Sequence, residues 1–324
     1  MKAAVIGSNG LEVNQVPEPR PKPNEVLVKV HAAALNRADL MMAAGLRHGP
    51  AGGSGTVAGL EWAGEVVEVG AEVESCKPGD RVMCSGNGGY AEYAVADWGR
   101  VSPIPANNMG YAQASTLPVA LQTMHNAVVT AGRLAQGESV LIQGASSGVG
   151  LMGMQIAKLM GAALVIGTST NAERRAKLTD YGADLALDTT TPAWADEVLR
   201  ATDGQGVHLI VDQVSNGVMN ENLKATRILG RIVNVGRLGG FVGEFNFDLH
   251  AARRIDYIGV TFRTRSLEEV REINRLARRD LWAAVEAGTL SLPIDRTFPL
   301  DEAVAAQAHM RENRHFGKIV LEVG

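Results

Sequence analysis

The residues of this chain best suited to chemistry lie in the run 139–153, S-V-L-I-Q-G-A-S-S-G-V-G-L-M-G. Val140, Leu141 and Ile142 make an apolar run of the kind that forms a buried parallel strand. Glycines and serines follow at once, and residues 154–160 then have helical periodicity. A strand feeding a glycine-rich turn and a helix is an arrangement that holds a dinucleotide pyrophosphate. Backbone without side chains lets the phosphates approach, and the first-turn N–H groups carry a partial positive charge.

Two frames compete for this turn. Gly148, Gly150 and Gly153 spell G-x-G-x-x-G literally, but Gly148 lies several residues beyond the strand exit, where the helix is already due to start. The frame Gly144, Ser147, Gly150 begins at the exit and is preferred. It makes Gly144, Ser146, Ser147, Gly148, Val149 and Gly150 the expected pyrophosphate contacts. Gly153 then falls one turn into the helix, where a small residue permits close packing on the sheet.

The next strand decides which dinucleotide is bound. An NAD site places Asp or Glu at its end to bind the ribose hydroxyls. Residues 165–171 read V-I-G-T-S-T-N, with no acid, and Arg174 and Arg175 follow. The hydroxyls of Thr168 and Ser169, with two guanidinium groups, suit the 2′-phosphate of NADPH. One charge-assisted contact is worth about 1.5–3 kcal/mol, roughly ten- to a hundredfold in preference. The nearest acid in the sequence is Glu173, past the strand end.

The elements that must position these groups follow from pattern. Residues 1–120 are β-rich, with alternating or β-branched runs punctuated by Gly and Pro turns. Residues 45–56 are glycine-rich and are expected to form a mobile loop. From 121 to 263 strands alternate with helices; the strands are expected at 139–143, 163–167, 184–187, 207–212, 230–235 and 256–261. That is the pattern of a doubly wound parallel sheet. Ser266 to Glu269 has the form of a capping box, opening a helix toward Gly288. Residues 318–323 return to strand character. The expected architecture is an α/β chain in which a Rossmann domain (121–263) is inserted into a β-rich domain (1–120 plus 264–324).

The chemistry that is missing narrows the reaction. There is no H-E-x-x-H, C-x-x-C or Tyr-x-x-x-Lys, and the one G-x-S-x-G match, Gly144 to Gly148, is the dinucleotide turn itself and is not read as a nucleophile elbow, so no metal, proton donor or nucleophile announces itself. His31, His125 and His208 are expected to be packing or surface residues, and Cys76 and Cys84 structural thiols. Hydride transfer that leaves charge on a conjugated oxygen, which solvent can protonate, needs none of these groups. The expected acceptors are therefore quinones or activated alkenes.

The net charge of −4, with 31 basic and 35 acidic residues intermixed, argues against a nucleic-acid surface. No apolar run approaches the roughly 20 residues of a membrane span. Two cysteines suit a reducing compartment, so a cytoplasmic location is expected.

Several segments then match a known family in order and spacing: Asn36-Arg37-Ala38-Asp39, Gly59-Leu60-Glu61, Gly79-Asp80-Arg81-Val82, Gly88-Gly89-Tyr90, the 144–150 turn, and Gly317-Lys318-Ile319-Val320. Over its whole length the chain resembles the zinc-free quinone oxidoreductase (zeta-crystallin-like) branch of the medium-chain dehydrogenase/reductase superfamily, whose β-rich domain is GroES-like. Zinc-dependent relatives carry cysteine at the position of Asn36 and histidine at that of Leu60. The resemblance implies an NADPH-dependent reductase of quinones or α,β-unsaturated carbonyls, acting as a homodimer paired through the strand near 256–261. It implies that Asn36 and Asp39 lie near the nicotinamide, that Thr123, Val235, Gly236 and Phe262 flank the cofactor, and that Arg314 and Lys318 approach it from the returning tail. It also implies a substrate pocket around Met41, Met42 and Arg47, without the tyrosine that relatives carry in this stretch. Two alternatives stand beside this reading. One is metal-free alcohol or ketone chemistry with Asp39 or His48 as a proton relay; the other is a non-catalytic NADPH-binding sensor.

Overall fold

Strand-forming sequence dominates both ends of the chain, and the computed structural model shows how the two ends combine. It describes all residues except 9, 48, 50 and 51. Two units are present: Met1–Val119 with Phe262–Gly324, and Ala120–Thr261.

In the first unit β1 (Lys2–Gly7) pairs antiparallel with β2 (Gly10–Gln15). There follow β3 (Glu25–Ala34), α1 (Arg37–Ala43), β4 (Glu61–Val69), β5 (Arg81–Ser85), β6 (Tyr93–Asp97), β7 (Val101–Pro103) and α2 (Tyr111–Ser115). Helix α3 spans Pro118–His125. The ten residues of β3 are long enough to take two antiparallel partners in succession. Residues 25–29 pair with β6 and residues 32–34 with the last strand of the chain. Trp62, Leu35, Met42 and Tyr90 fill the core beneath.

The second unit contains β8 (Ser139–Ile142), α4 (Gly148–Leu159), β9 (Leu164–Thr168), α5 (Ala172–Ala176), β10 (Leu185–Leu187) and α6 (Trp194–Ala201). It continues with β11 (Val207–Asp212), α7 (Met219–Ala225), β12 (Thr226–Asn234), α8 (Phe247–Arg253) and β13 (Asp256–Gly259). The sheet is parallel throughout, in the order β10-β9-β8-β11-β12-β13. The strand order reverses between β8 and β11, and ligands of such sheets bind at the carboxyl ends of the strands beside this switch point. Val140, Leu141, Ile142, Leu209, Ile210 and Val211 are wholly buried, which accounts for their unbroken apolar runs. Strand β12 starts at Thr226, earlier than its sequence pattern suggests. Thr226 pairs with Val207 ahead of a register shift, and Leu229 takes a left-handed φ of +62° to absorb it.

The tail returns to the first unit as α9 (Leu267–Glu286), β14 (Ile294–Pro299), α10 (Ala303–Arg311) and β15 (Lys318–Glu322). The Ser266 and Glu269 side chains form the expected capping box on α9, and Gly288, at φ +72°, follows the helix. Strand β15 joins β14 to β3 in one seven-stranded sheet. The stretch 45–56, read as a mobile loop, includes residues 48, 50 and 51 and so lies partly outside the described residues.

Candidate active site

The glycine-rich turn is built by its own backbone. Gly144 leaves β8 at φ +68°, a conformation that favours a residue without Cβ. Ser147 is the N-cap of α4, and its Oγ accepts from the Gly150 N–H at 3.1 Å. A Cβ on Gly150 would stand 2.6 Å from Ala145 Cα and 2.7 Å from the carbonyl oxygens of Gly144 and Ala145. Gly153 faces the flexible Met124 side chain instead, with Sδ 3.0 Å from an added Cβ. The N–H groups of Gly148 and Val149, in the first turn, have no acceptor within the helix. This turn is therefore a backbone cradle with a helix N-terminus behind it, and it fits a pyrophosphate.

The end of β9 is arranged differently from the sequence reading. Thr168 is buried, and its hydroxyl is occupied on both sides: it donates to Gln143 Oε1 at 2.8 Å and accepts from the Gly144 N–H at 3.0 Å. Thr168 thus anchors the turn and has no proton left for a phosphate. Ser169 Oγ donates to Ser146 Oγ at 3.1 Å and ties the strand end to the same turn. Glu173 is not the acid that matters here. Asp188, just beyond β10, pairs with Arg175, whose Nη1 also donates to the Ser169 carbonyl, each at 2.9 Å. The Asp188 carboxyl is held below its usual range, chiefly by the Thr190 backbone and hydroxyl, with Arg175 contributing. Arg175 is thus partly neutralised and held at the strand end, and Arg174 lies beside it on α5. Val235 and Gly236 follow β12, and their N–H groups both donate to the Asp212 carbonyl. Thr123 lies on α3, half-buried.

The first unit holds a second cluster, of which the sequence motifs revealed only part. Asn36 is the N-cap residue of α1. Its Nδ2 donates to Glu61 Oε1 at 2.9 Å, and its Oδ1 accepts from Lys318 Nζ at 3.0 Å. Lys318 and Glu61 form an ion pair with side chains 4% and 0% exposed. Glu61 Oε2 accepts from the Val119 N–H. Asp39 reaches back to the Asn36 N–H at 2.7 Å and accepts from the Tyr90 hydroxyl at 2.8 Å. Its other oxygen is buried without a hydrogen-bond partner among the described residues.

Tyr90 and Glu61 had no assigned role in the sequence, although the glycines near them, Gly59 and Gly88-Gly89, were a signal. Gly59, at φ +104°, has no Cβ to strike the Tyr90 ring, which would otherwise be 2.4 Å away. That allows the phenol to reach Asp39. Lys318 is turned onto Glu61 and Asn36. Arg314 is exposed beside Glu312. Met42 packs in the core, Met41 is half-buried and Arg47 exposed. Phe262 is half-buried in the same unit, and His48 lies outside the described residues.

Burial pushes the Asp39 carboxyl up to about 7, against the lowering effects of the Tyr90 hydroxyl, the Asn36 N–H and the Lys318 ammonium; the nearby Glu61 carboxylate adds to the rise. Burial likewise raises the Tyr90 phenol. For an acid whose pKa rises on folding, the native state holds its proton after the unfolded chain has lost it. Stability then falls as pH climbs from about 4 to about 7, by about 1.4 kcal/mol per pH unit at most. Asp39→Asn should remove this slope. Urea unfolding at pH 5 and pH 8 should show the variant gaining on the wild type by a few kcal/mol; parallel pH profiles would exclude this assignment.

The chain was compared with known proteins. An alcohol dehydrogenase GroES-like domain model matches residues 22–106, and a zinc-binding dehydrogenase model matches residues 148–278. A quinone oxidoreductase of Rattus norvegicus is 30% identical over 94% of this chain and 90% of its own length. The chain belongs to the quinone oxidoreductase branch of the medium-chain dehydrogenase/reductase superfamily. Its first unit accordingly includes a GroES-like domain, and its second is the Rossmann domain. A phenolphthiocerol/phthiocerol polyketide synthase subunit of Mycobacterium tuberculosis is 29% identical over 97% of the chain, yet the chain spans only 14% of that protein. The structure of a mycobacterial protein complexed with NADPH has a TM-score of 0.88 and 25% identity, covering 99% of both chains.

The positions at which zinc-dependent members of this superfamily carry cysteine and histidine hold Asn36 and Leu60 here. Asn36 is already bonded to Glu61 and Lys318, and Leu60 is aliphatic. Among the described residues no group of three or more His, Cys, Asp or Glu side chains is placed to hold a metal. A dinucleotide does fit, at the 144–150 cradle.

Proposed function

We propose that the chain is an NADPH-dependent oxidoreductase that reduces quinones or α,β-unsaturated carbonyl compounds without a metal ion. The observation that carries this reading is the backbone cradle at Gly144, Ser147 and Gly150, beside a β9 end that lacks an acid and is followed by Arg174. Bound NADPH would supply a hydride from its C4. The acceptor takes that hydride, and the charge left on its conjugated oxygen is neutralised by a proton from solvent. Asp39 and Tyr90 are both fully buried, which suits them to holding Asn36 and α1 in place and not to meeting an acceptor. The relatives named as quinone oxidoreductases and the structure complexed with NADPH support the reading.

The test is NADPH oxidation across quinones, enones, enals and saturated ketones, with product identification. Turnover is expected with the conjugated acceptors. Equal rates on saturated ketones would overturn the assignment. Tight NADPH binding without turnover on any acceptor would favour the sensor alternative.

Arg174→Ala is expected to weaken NADPH binding roughly ten- to a hundredfold and leave NADH binding nearly unchanged, in fluorescence titrations of both cofactors. Arg175→Ala should cost less, because Asp188 already compensates that charge. Equal loss of both cofactors in the Arg174 variant would exclude a phosphate contact.

We further propose that two copies pair through β13. This strand is the sheet edge, and Tyr257 on it and Phe247 beside it are 43% and 76% exposed, which is costly unless covered. Sedimentation at micromolar concentration should show a dimer; a lone monomer would refute the pairing.

A further inference from the structure

The Rossmann unit contains a chain of buried polar side chains that runs from the end of β11 to the glycine-rich turn. Asp212 ends β11 and is 0% exposed. Its Oδ1 accepts from the Val214 and Ser215 N–H groups at 2.8 and 2.9 Å, and its Oδ2 accepts from Asn222 Nδ2 at 3.1 Å. All three contacts are donors, as an ionised carboxylate requires. Asn222, on α7, then has its carbonyl oxygen left for Gln143 Nε2, at 2.7 Å. Gln143 has its own carbonyl oxygen left for the Thr168 hydroxyl, at 2.8 Å. Thr168, having given its proton to Gln143, has a lone pair left for the Gly144 N–H, at 3.0 Å. Gln143, Thr168 and Asn222 are 0%, 1% and 0% exposed, so no solvent can substitute for a missing partner.

The direction of each bond follows from the one before it. A carboxylate can only accept, so it orients the Asn222 amide. That amide orients Gln143, and Gln143 orients the Thr168 hydroxyl. Reversing either amide would set like groups face to face in a buried site, acceptor on acceptor or donor on donor, which costs more than a lost hydrogen bond. The last bond holds Gly144, the residue at positive φ on which the cradle turns.

We propose that Asp212 is a positioning residue that fixes, through Asn222, Gln143 and Thr168, the hydrogen-bonding direction and hence the shape of the turn that receives the dinucleotide. This rests on the reading of residues 144–150 as the dinucleotide site. Asp212 does not touch the pyrophosphate cradle itself; its negative charge acts there only by setting the polarity of the intervening side chains.

The test exploits that polarity. Asp212→Asn preserves shape but places an NH2 group against the Asn222 NH2 group. It should weaken NADPH and NADH alike by about tenfold or more, unlike Arg174→Ala, which separates the two cofactors. It should also reduce the protection of the Gly144 amide in hydrogen exchange on the ligand-free protein. Adding Asn222→Asp moves the carboxylate one place along the chain. It can then accept from both the new amide at 212 and Gln143, which reverses the 212–222 bond but restores the direction of the bonds at Gln143 and Thr168. The double variant should bind NADPH within about threefold of wild type and recover Gly144 protection, whereas Asn222→Asp alone sets two carboxylates side by side and should be impaired. If Asp212→Asn alone fails to fold, recovery of folding in the double variant supports the relay, and failure of both refutes it. Wild-type affinity in Asp212→Asn, or a double variant no better than the single, would also overturn the proposal. If the wild type binds neither cofactor, the dinucleotide reading falls, and Gly144 exchange still decides whether the relay exists.

Discussion

Lys318→Met is expected to lower the unfolding free energy by about 3–5 kcal/mol, the cost of leaving one member of a buried ion pair without its partner. The pair joins residues far apart in the chain: Lys318 opens β15 and Glu61 opens β4. Neither side chain reaches water, so Glu61 in the variant would face desolvation with only the Asn36 amide and the Val119 N–H as donors. The pair as a whole adds far less than its rupture costs, because burying both charges already carries a desolvation penalty. Adding Glu61→Gln to Lys318→Met should therefore recover a large part of the loss. Denaturant unfolding of the two single variants and the double variant measures both quantities. A single-variant cost below about 1 kcal/mol would place the pair among weakly coupled surface bridges, and losses that simply add would exclude the coupling.

Gly150→Val should remove dinucleotide binding, with NADPH affinity falling at least about a hundredfold. The obstacle is backbone: the added Cβ would meet Ala145 Cα and two carbonyl oxygens of the turn, all closer than 3 Å. Backbone atoms cannot rotate away, so the turn must open and the first N–H groups of α4 lose their common aim. Gly153→Ala is the control. Its nearest neighbour is the end of the Met124 side chain, which can shift, so binding should stay within about threefold of wild type. The comparison also separates the two frames of the glycine motif, since the literal match makes Gly153 essential. Affinity within tenfold of wild type in Gly150→Val would show that the phosphates do not rest on this turn.

The features legible in the sequence are those that depend on neighbours along the chain. The strand, turn and helix of residues 139–159 could be read because an apolar run, a left-handed glycine and an N-cap serine act within a few residues of one another. The positions of the parallel strands were legible for a similar reason, since each strand buried on both faces leaves an unbroken apolar run. The absence of an acid at the β9 end was equally visible in one short segment.

What the sequence could not show depends on residues brought together from distant positions. Arg174 and Arg175 look equivalent in a line of letters; only the pairing of β9 with β10 brings Asp188 against one of them. Thr168 has the hydroxyl of a phosphate ligand, yet Gln143 and the Gly144 N–H use it from both sides. Lys318 shows no partner in its own segment; it pairs with Glu61 only because β15 joins β3. Tyr90, with no assigned role in its own segment, becomes the partner of Asp39 because Gly59 leaves room for its ring. A hydrogen bond or ion pair between residues tens or hundreds of positions apart leaves no periodicity and no local propensity. By itself the sequence determined that this chain carries a dinucleotide cradle in a doubly wound sheet. Which polar groups remain available to a ligand was decided only by tertiary packing, because burial makes each donor and acceptor take the partner that the fold places beside it.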